Sequence, residues 1–271
     1  MNSGSHETDI RKIHERNRRY WDETAAEWQQ SDSVDDTWRR CPTEPLLAFE
    51  GQALETIREF VKPLIGKEVC VVGSGDNFAT FALAGLGAKV TSTDISSQRL
   101  KIARERAVEL GLKIRFVRAD AANLGRLADG SFDLICSTNG FFVWIADLKA
   151  VFTEISRVLK PRGYYIFYDV HPFQRPWKDQ VMPVEMGKSY WDRGPLEPVV
   201  DSYEFTWTLA DIMNALAEAK LNIRKVVESP PVNSRFWTGL SYGPGKDESL
   251  QDWKKNPRAG LPAWLTVAAM K

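Results

Sequence analysis

Residues Val69 to Asp94 read V-C-V-V-G-S-G-D-N-F-A-T-F-A-L-A-G-L-G-A-K-V-T-S-T-D, and the reading of the fold starts there. Val69–Val72 is a short, apolar, mainly β-branched run, as in a strand buried on both faces of a parallel sheet. Gly73-Ser74-Gly75 follows at once. Phe78 to Ala84 has the composition of a helix, which Gly85 and Gly87 can end. Ala88–Thr93 is a second strand, closed by Asp94. The order is strand, glycine turn, helix, strand, acid. Glycines in such a turn let the backbone approach a ligand closely, and the helix start offers free N–H groups to an anion. An acid about 20 residues on, at the tip of the second strand, suits a ribose diol.

Two cofactor classes use this unit. The dinucleotide fingerprint G-x-G-x-x-G requires a third glycine where this chain has Phe78, which weakens a nicotinamide or flavin reading. The stretch instead resembles motif I of the class I S-adenosylmethionine (SAM) dependent methyltransferases, commonly (D/E)-x-G-x-G-x-G, followed by their second-strand acid. Gly73, Gly75 and Asp94 match, whereas Val71 stands at the acidic position and Asn77 at the last glycine. The resemblance implies that SAM, and its product S-adenosylhomocysteine (SAH), bind at Gly73, Ser74, Gly75, Asn77, Asp94 and Ile95. Asn77 can adopt the left-handed conformation of a glycine. Val71 cannot help hold the methionine ammonium as the usual acid does, and Val71→Asp is expected to tighten SAM.

The chain downstream keeps the same alternation. Ser97 to Leu110 reads as a helix and Lys113–Val117 as a third strand, followed by Arg118-Ala119-Asp120-Ala121. In the family an acid and a small residue at this point read the adenine edge, which implicates Asp120 and Ala121. The phrases G-S-F-D-L-I-C, from Gly130, and R-V-L-K-P-R-G-Y-Y-I-F, from Arg157, resemble family phrases in order and register. They frame a fourth strand at Leu134–Ser137, a helix from Asp147 to Leu159 and a fifth strand at Tyr164–Val170. Thr206 to Ala219 is a helix, Leu221–Val227 a sixth strand and Ala263–Met270 a last one.

These elements predict an α/β fold, a doubly wound, seven-stranded, mostly parallel sheet with right-handed crossovers. The resemblance implies a Rossmann-like methyltransferase fold with the last strand antiparallel between the fifth and sixth. Ligands in such sheets sit outside the carboxyl ends of the strands, where Gly73, Asp94, Asp120, Asn139 and His171 all fall. The T-W-T-L-A-D-I-M-N-A-L block, from Thr206, and the N-P-R-A-G-L-P-A-W-L run, from Asn256, resemble bacterial small-molecule methyltransferases related to those of quinone biosynthesis.

Residues 1–44 read as a tail and helical cap, and 45–271 as the methyltransferase domain, with a lid insertion at about 171–205. Asp9 to Gln29 carries Ile10, Ile13, Tyr20, Trp21, Ala25 and Trp28 among charges, as one helix or as two broken near Asp22-Glu23-Thr24. In family members an aromatic from the cap covers SAM, which implicates Tyr20, Trp21 or Trp28; simple burial on an amphipathic face is the alternative. Ser31 to Pro45 is expected to be a loop, and Pro45 to Val61 a helix.

Of ten tryptophans, only Trp144 lies between Pro45 and Asp169. The others fall in the cap, or after the fifth strand where an acceptor pocket would be walled. Aromatic walls suit a planar or apolar small molecule. Asn139 is a candidate for binding SAM through its amide. Phe141, Phe142, Trp144 and Trp177 are assigned to the acceptor pocket. His171 is the candidate general base, because imidazole titrates near neutrality, with Asp169 to orient it. The alternative is that His171-Pro172 shapes the entry to the lid.

With 36 basic and 36 acidic residues the net charge is zero, which argues against broad binding to a phosphate backbone. Residues 137–142 also lack the Asn/Asp-Pro-Pro-aromatic turn of enzymes that methylate base amines. Three cysteines cannot build a disulfide framework, and no secretory or long apolar segment appears, so a cytoplasmic protein without a membrane anchor is expected. The scattered histidines give no metal-ligand spacing.

The expectation is therefore a SAM-dependent methyltransferase acting on the O, N or C atom of a small acceptor. A non-catalytic SAM-binding protein of the same fold, or a nicotinamide oxidoreductase, are the rival readings. Nothing in the sequence selects the acceptor or an oligomeric state.

Overall fold

Val69 and Val71 alternate with Cys70 and Val72, and all four are fully buried. A strand that buries both faces must be covered by helices on both sides of its sheet. The computed structural model describes residues 3–32, 36–178, 183–196, 201–238 and 247–271 and shows that arrangement. In chain order the elements are α1 (Ser3–Glu23), α2 (Ala25–Asp32), α3 (Thr37–Arg40), α4 (Ala53–Phe60), β1 (Glu68–Val72), α5 (Phe78–Gly85), β2 (Lys89–Asp94) and α6 (Ser97–Glu109). There follow β3 (Ile114–Arg118), β4 (Phe132–Ser137), α7 (Leu148–Val158), β5 (Leu159–Val170), α8 (Leu209–Glu218), β6 (Asn222–Ser229), α9 (Arg235–Thr238) and β7 (Trp264–Met270).

The seven strands form one sheet in the order β3-β2-β1-β4-β5-β7-β6. The β1–β5 ladders are parallel, whereas β7 runs antiparallel to both β5 and β6. This is the Rossmann-like methyltransferase arrangement, with the last strand inserted as expected. One core contains Val69, Val71, Leu54, Ile57, Phe81 and Leu83, under α4 and α5. The other contains Cys70, Val72, Phe152, Ile155, Ile212 and Leu216, under α7 and α8. Each large apolar side chain buried in this way contributes about 1.5–3 kcal/mol.

The strand order reverses between β1 and β4, and the chain leaves both at the same edge of the sheet. Register holds Val72 beside Thr93 and Asp94 beside Arg118, so the tips of β1, β2 and β3 lie together. A crevice at such a reversal is where open α/β sheets take ligands. Helix starts fix the approach to it. Ser96 accepts from Arg99 N–H at α6, and Asp147 from Ala150 N–H at α7. Thr208 and Asp211 close a capping box at α8.

Two local expectations differ. Pro45 to Val61 is not one helix but a 3-10 turn at Pro45–Ala48 followed by α4. Gly51 separates them at φ +59°, where an added Cβ would lie 2.8 Å from Ser229 Oγ and 3.2 Å from Trp264 Cβ. The chain breaks there because it must pass close to the ends of β6 and β7. The segment from Ser31 to Pro45, expected to be a loop, carries α3, whose Trp38 is buried near Phe81; residues 33–35 of it lie outside the described residues. In the cap the break does fall after Glu23, between α1 and α2. Within the span from His171 to Glu204, residues 179–182 and 197–200 are outside those described.

Candidate active site

Gly73, Gly75 and Asn77 adopt φ of +61°, +50° and +64°, turning the chain sharply from β1 into α5. The two glycines are required for different reasons. A Cβ on Gly73 would sit 2.5 Å from Phe141 Cδ2, so packing forbids it. A Cβ on Gly75 would have no neighbour nearer than 4.0 Å, so there the missing side chain leaves an open cradle. Asn77 is buried, and its side chain faces the sheet rather than the cradle. Ser92 Oγ donates to Asn77 Oδ1 at 2.7 Å, and Asn77 Nδ2 donates to the Gly75 carbonyl at 2.9 Å. Contrary to its assignment to the cofactor, Asn77 braces the loop from behind. A glycine at this position could adopt the φ but not tie the turn to β2.

Asp94 stands at the tip of β2, with one oxygen accepting from Gly75 N–H at 3.0 Å and the other from Ser96 N–H at 2.8 Å. Burial pushes its carboxyl above the usual range, opposed by these two N–H groups and by Arg99. Each oxygen keeps a lone pair for a further donor. Asp120, after β3, accepts from Ala122 N–H at 2.9 Å and meets His14 Nδ1 of α1 at 2.6 Å. Burial would raise the Asp120 carboxyl, but the His14 hydrogen bond and charge outweigh it and hold it low. His14 Nε2 is buried with no hydrogen-bond partner among the described residues.

These groups open onto one cavity of about 700 Å³. Of the residues singled out in the sequence, Gly73, Ser74, Gly75, Asp94, Ile95, Asp120, Ala121, Asn139 and Trp28 line it, and so do Phe141, Trp144 and Trp177. Trp21, named with the cap aromatics, joins them.

Four assigned residues do not line it. Tyr20 stacks on Trp144 at 5.6 Å between ring centroids, supporting that wall from outside. Phe142 is buried in the core against Phe152 and Phe167, behind Phe141, whose ring lies 5.3 Å from its own and alone of the two reaches the cavity. Asn77 is turned inward as described. His171 is fully buried.

The base assignment for His171 is therefore corrected. Phe173 N–H donates to Nδ1 at 3.1 Å, which leaves Nε2 to carry the proton and donate it to Glu228 Oε1 at 2.9 Å. Burial pulls the imidazole pKa down, against the pull of Glu228. Both nitrogens are engaged, and the ring caps the 3-10 turn at Pro172–Gln174. Asp169 does not orient it. That carboxylate accepts from Gly140 N–H at 3.0 Å, Phe142 N–H at 3.1 Å and Arg175 Nη2 at 3.0 Å, fixing the loop after β4.

Several site residues carry no local sequence signal. Asn17 of α1 is 2% exposed and exchanges two hydrogen bonds with the Tyr203 backbone, Nδ2 to carbonyl at 2.9 Å and N–H to Oδ1 at 2.7 Å. Arg16 donates to the Tyr203 hydroxyl at 2.8 Å and pairs with Asp201. Phe205 N–H donates to the Val143 carbonyl at 2.7 Å. The cap and the chain leading to α8 thus meet at the cavity. Arg175, Lys188 and Arg258 line its far side. The contacts of Asn17, Arg16 and Arg258 join residues scores of positions apart, which periodicity cannot show. Among the described residues no group of His, Cys, Asp or Glu is placed to hold a metal ion, and no helix is long and apolar enough to cross a membrane.

The donor set suits a nucleoside carrying a cationic methionine tail: an open glycine cradle, a carboxylate at the β2 tip and a second acid after β3. Comparison with known proteins agrees. Residues 70–167 match the family described as a methyltransferase domain. A ubiquinone biosynthesis O-methyltransferase of Pectobacterium carotovorum is 24% identical over 204 residues, covering 75% of this chain and 78% of that one. The enzyme of the same name from Bordetella avium is 30% identical over 124 residues, 46% of this chain and 51% of its own length. The chain thus spans only about half the length of some relatives that it matches. A SAM-dependent methyltransferase structure from Mesorhizobium loti shares the fold, with a TM-score of 0.62 at 21% identity, over 82% of this chain and 98% of that one.

Proposed function

We propose that this chain, which resembles the class I SAM-dependent methyltransferases of the quinone-biosynthesis type, methylates a small aromatic or apolar organic acceptor. The observation that carries this reading is the single cavity in which the Gly73–Gly75 cradle, Asp94 and Asp120 share space with Phe141, Trp144 and Trp177.

In this reading Asp94 accepts from the ribose hydroxyls and the cradle at Gly75 admits the backbone of the methionine portion. Asp120 and Ala121 border the adenine, with Ile95 and Trp28 beside them. When bound, SAM supplies an activated sulfonium methyl. The aromatic walls align the acceptor atom and exclude water, which is the main demand of an in-line displacement. His171 takes no part, since both its nitrogens are engaged away from the cavity. The relatives' name makes oxygen the first acceptor atom to test.

The test is transfer of labelled methyl from SAM to a panel of small phenols, amines and acidic carbon compounds. Label appearing in a small aromatic product supports the reading. SAH binding without transfer to any extract or panel member would favour the non-catalytic alternative.

A further inference from the structure

We propose that the acceptor carries an acidic group, a carboxylate or a phosphate, and that Arg175, Lys188 and Arg258 form the wall that receives it. This rests on the methyl-transfer reading and narrows its substrate class.

Charge is segregated within the cavity. The half at the tips of β1–β3 presents Asp76, Asp94 and Asp120 against a single arginine, Arg99. The half built from segments after β5, together with Glu50, presents Arg175, Lys188, Arg235 and Arg258 against Glu50 and Glu204. Arg235 pairs with Glu50 at 2.5 Å, so that pair is closed within the protein.

Lys188 differs. It is half-buried, yet its ammonium makes no hydrogen bond or ion pair with any described residue. Burial pulls its pKa down and Arg175 adds to this, while Asp192 and Glu204 act at longer range in the other direction. Holding a cation partly out of water without a close counter-ion is unfavourable until an anion arrives.

The neighbouring guanidiniums are held in place for such an anion. Arg175 is anchored on buried Asp169 at 3.0 Å. Arg258 is held by Gln174 Oε1 at 3.3 Å and by the Lys178 carbonyl at 3.1 Å. A planar guanidinium presents paired donors that match carboxylate and phosphate oxygens. Trp177 lines the same part of the cavity and offers an apolar face to the body of the acceptor.

The experiment is calorimetry on the full chain loaded with SAH, using matched pairs of probes. These are 3,4-dihydroxybenzoate against 3,4-dihydroxybenzamide, 3-phenylpropionate against its amide, and phenyl phosphate against phenol. At least one acidic member should bind about tenfold or more tightly than its neutral twin, the scale of a charge-assisted hydrogen bond. That advantage should shrink with added salt. It should be lost in Lys188→Met, kept in Lys188→Arg, and SAH affinity should stay the same in both. A preference in the phosphate arm or in the carboxylate arms identifies which acid is read.

Acids that bind no better than their neutral twins, or not at all, overturn the proposal, as does an advantage that survives in Lys188→Met. Failure of SAH itself to bind would instead sink the methyl-transfer reading. Labelled methyl passing only to neutral compounds would sink this proposal alone.

Discussion

Asp94 concentrates the cofactor chemistry in one side chain, because its two oxygens are pinned by backbone N–H groups and still have lone pairs to spare. Asp94→Ala should weaken SAH by about one to two orders of magnitude, the value of roughly 1.5–3 kcal/mol for hydrogen bonds to a charged group. Calorimetry on the folded variant checks this, and unchanged affinity would remove Asp94 from the site. Val71 lies one strand away and behaves in the opposite sense. The family's acid is missing there, which made Val71→Asp look like a route to tighter SAM. In the structure Val71 is fully buried and does not line the cavity, packed in one cluster with Val69 and Phe81. An aspartate there would be a buried, unpartnered carboxylate and should destabilise the fold by at least about 3 kcal/mol. Urea unfolding measures it; a stable variant with tighter SAH would restore the family role of the position.

At the scale of elements, α1 is joined to the chain before α8 rather than packed as an independent cap. Asn17 makes that joint through the Tyr203 backbone, and His14 makes a second one to Asp120. Asn17→Ala would leave a buried N–H and carbonyl at Tyr203 without their partner, at a cost of about 1–3 kcal/mol. The loss should be local. Hydrogen exchange should quicken in α1 and around Tyr203, while β1, β4 and β5 keep their protection. Uniform acceleration through the sheet would show that the cap is integral to the global fold. In the wild type, SAH together with an acceptor should slow exchange in α1 and in the described residues 183–196, since both border the cavity.

Across the whole molecule, the buried histidine links stability to pH. The folded state holds the His171 pKa below its ordinary value, chiefly by burial. Its contribution is therefore intact above the unfolded value near 6.5 and declines as pH falls from there toward the folded value. Asp120 is held low, so its contribution is present above the unfolded value near 3.9 and declines only as pH falls below it. Denaturant midpoints should thus fall between about pH 7 and pH 5 in the wild type, and His171→Gln should flatten that fall while leaving SAH affinity unchanged. An identical slope in the variant would assign the titration elsewhere. The sequence by itself determined the sheet and the ligand edge. V-C-V-V buries two faces only in a covered parallel strand, and a turn with left-handed residues followed by an acid at the next strand tip is written in neighbouring residues. Short-range periodicity and backbone sterics act within such stretches, so they can be read without the fold. The direction of His171 could not be, because it depends on Glu228, 57 residues away, which β6 brings beside it. The pairing of His14 with Asp120 spans 106 residues, and that of Asn17 with Tyr203 spans 186. Phe141 and Phe142 are adjacent in sequence and packed in one core cluster, yet only Phe141 also lines the cavity. Tertiary structure alone decided these, because they follow from which distant surfaces pack together, and packing leaves no periodic mark on the chain.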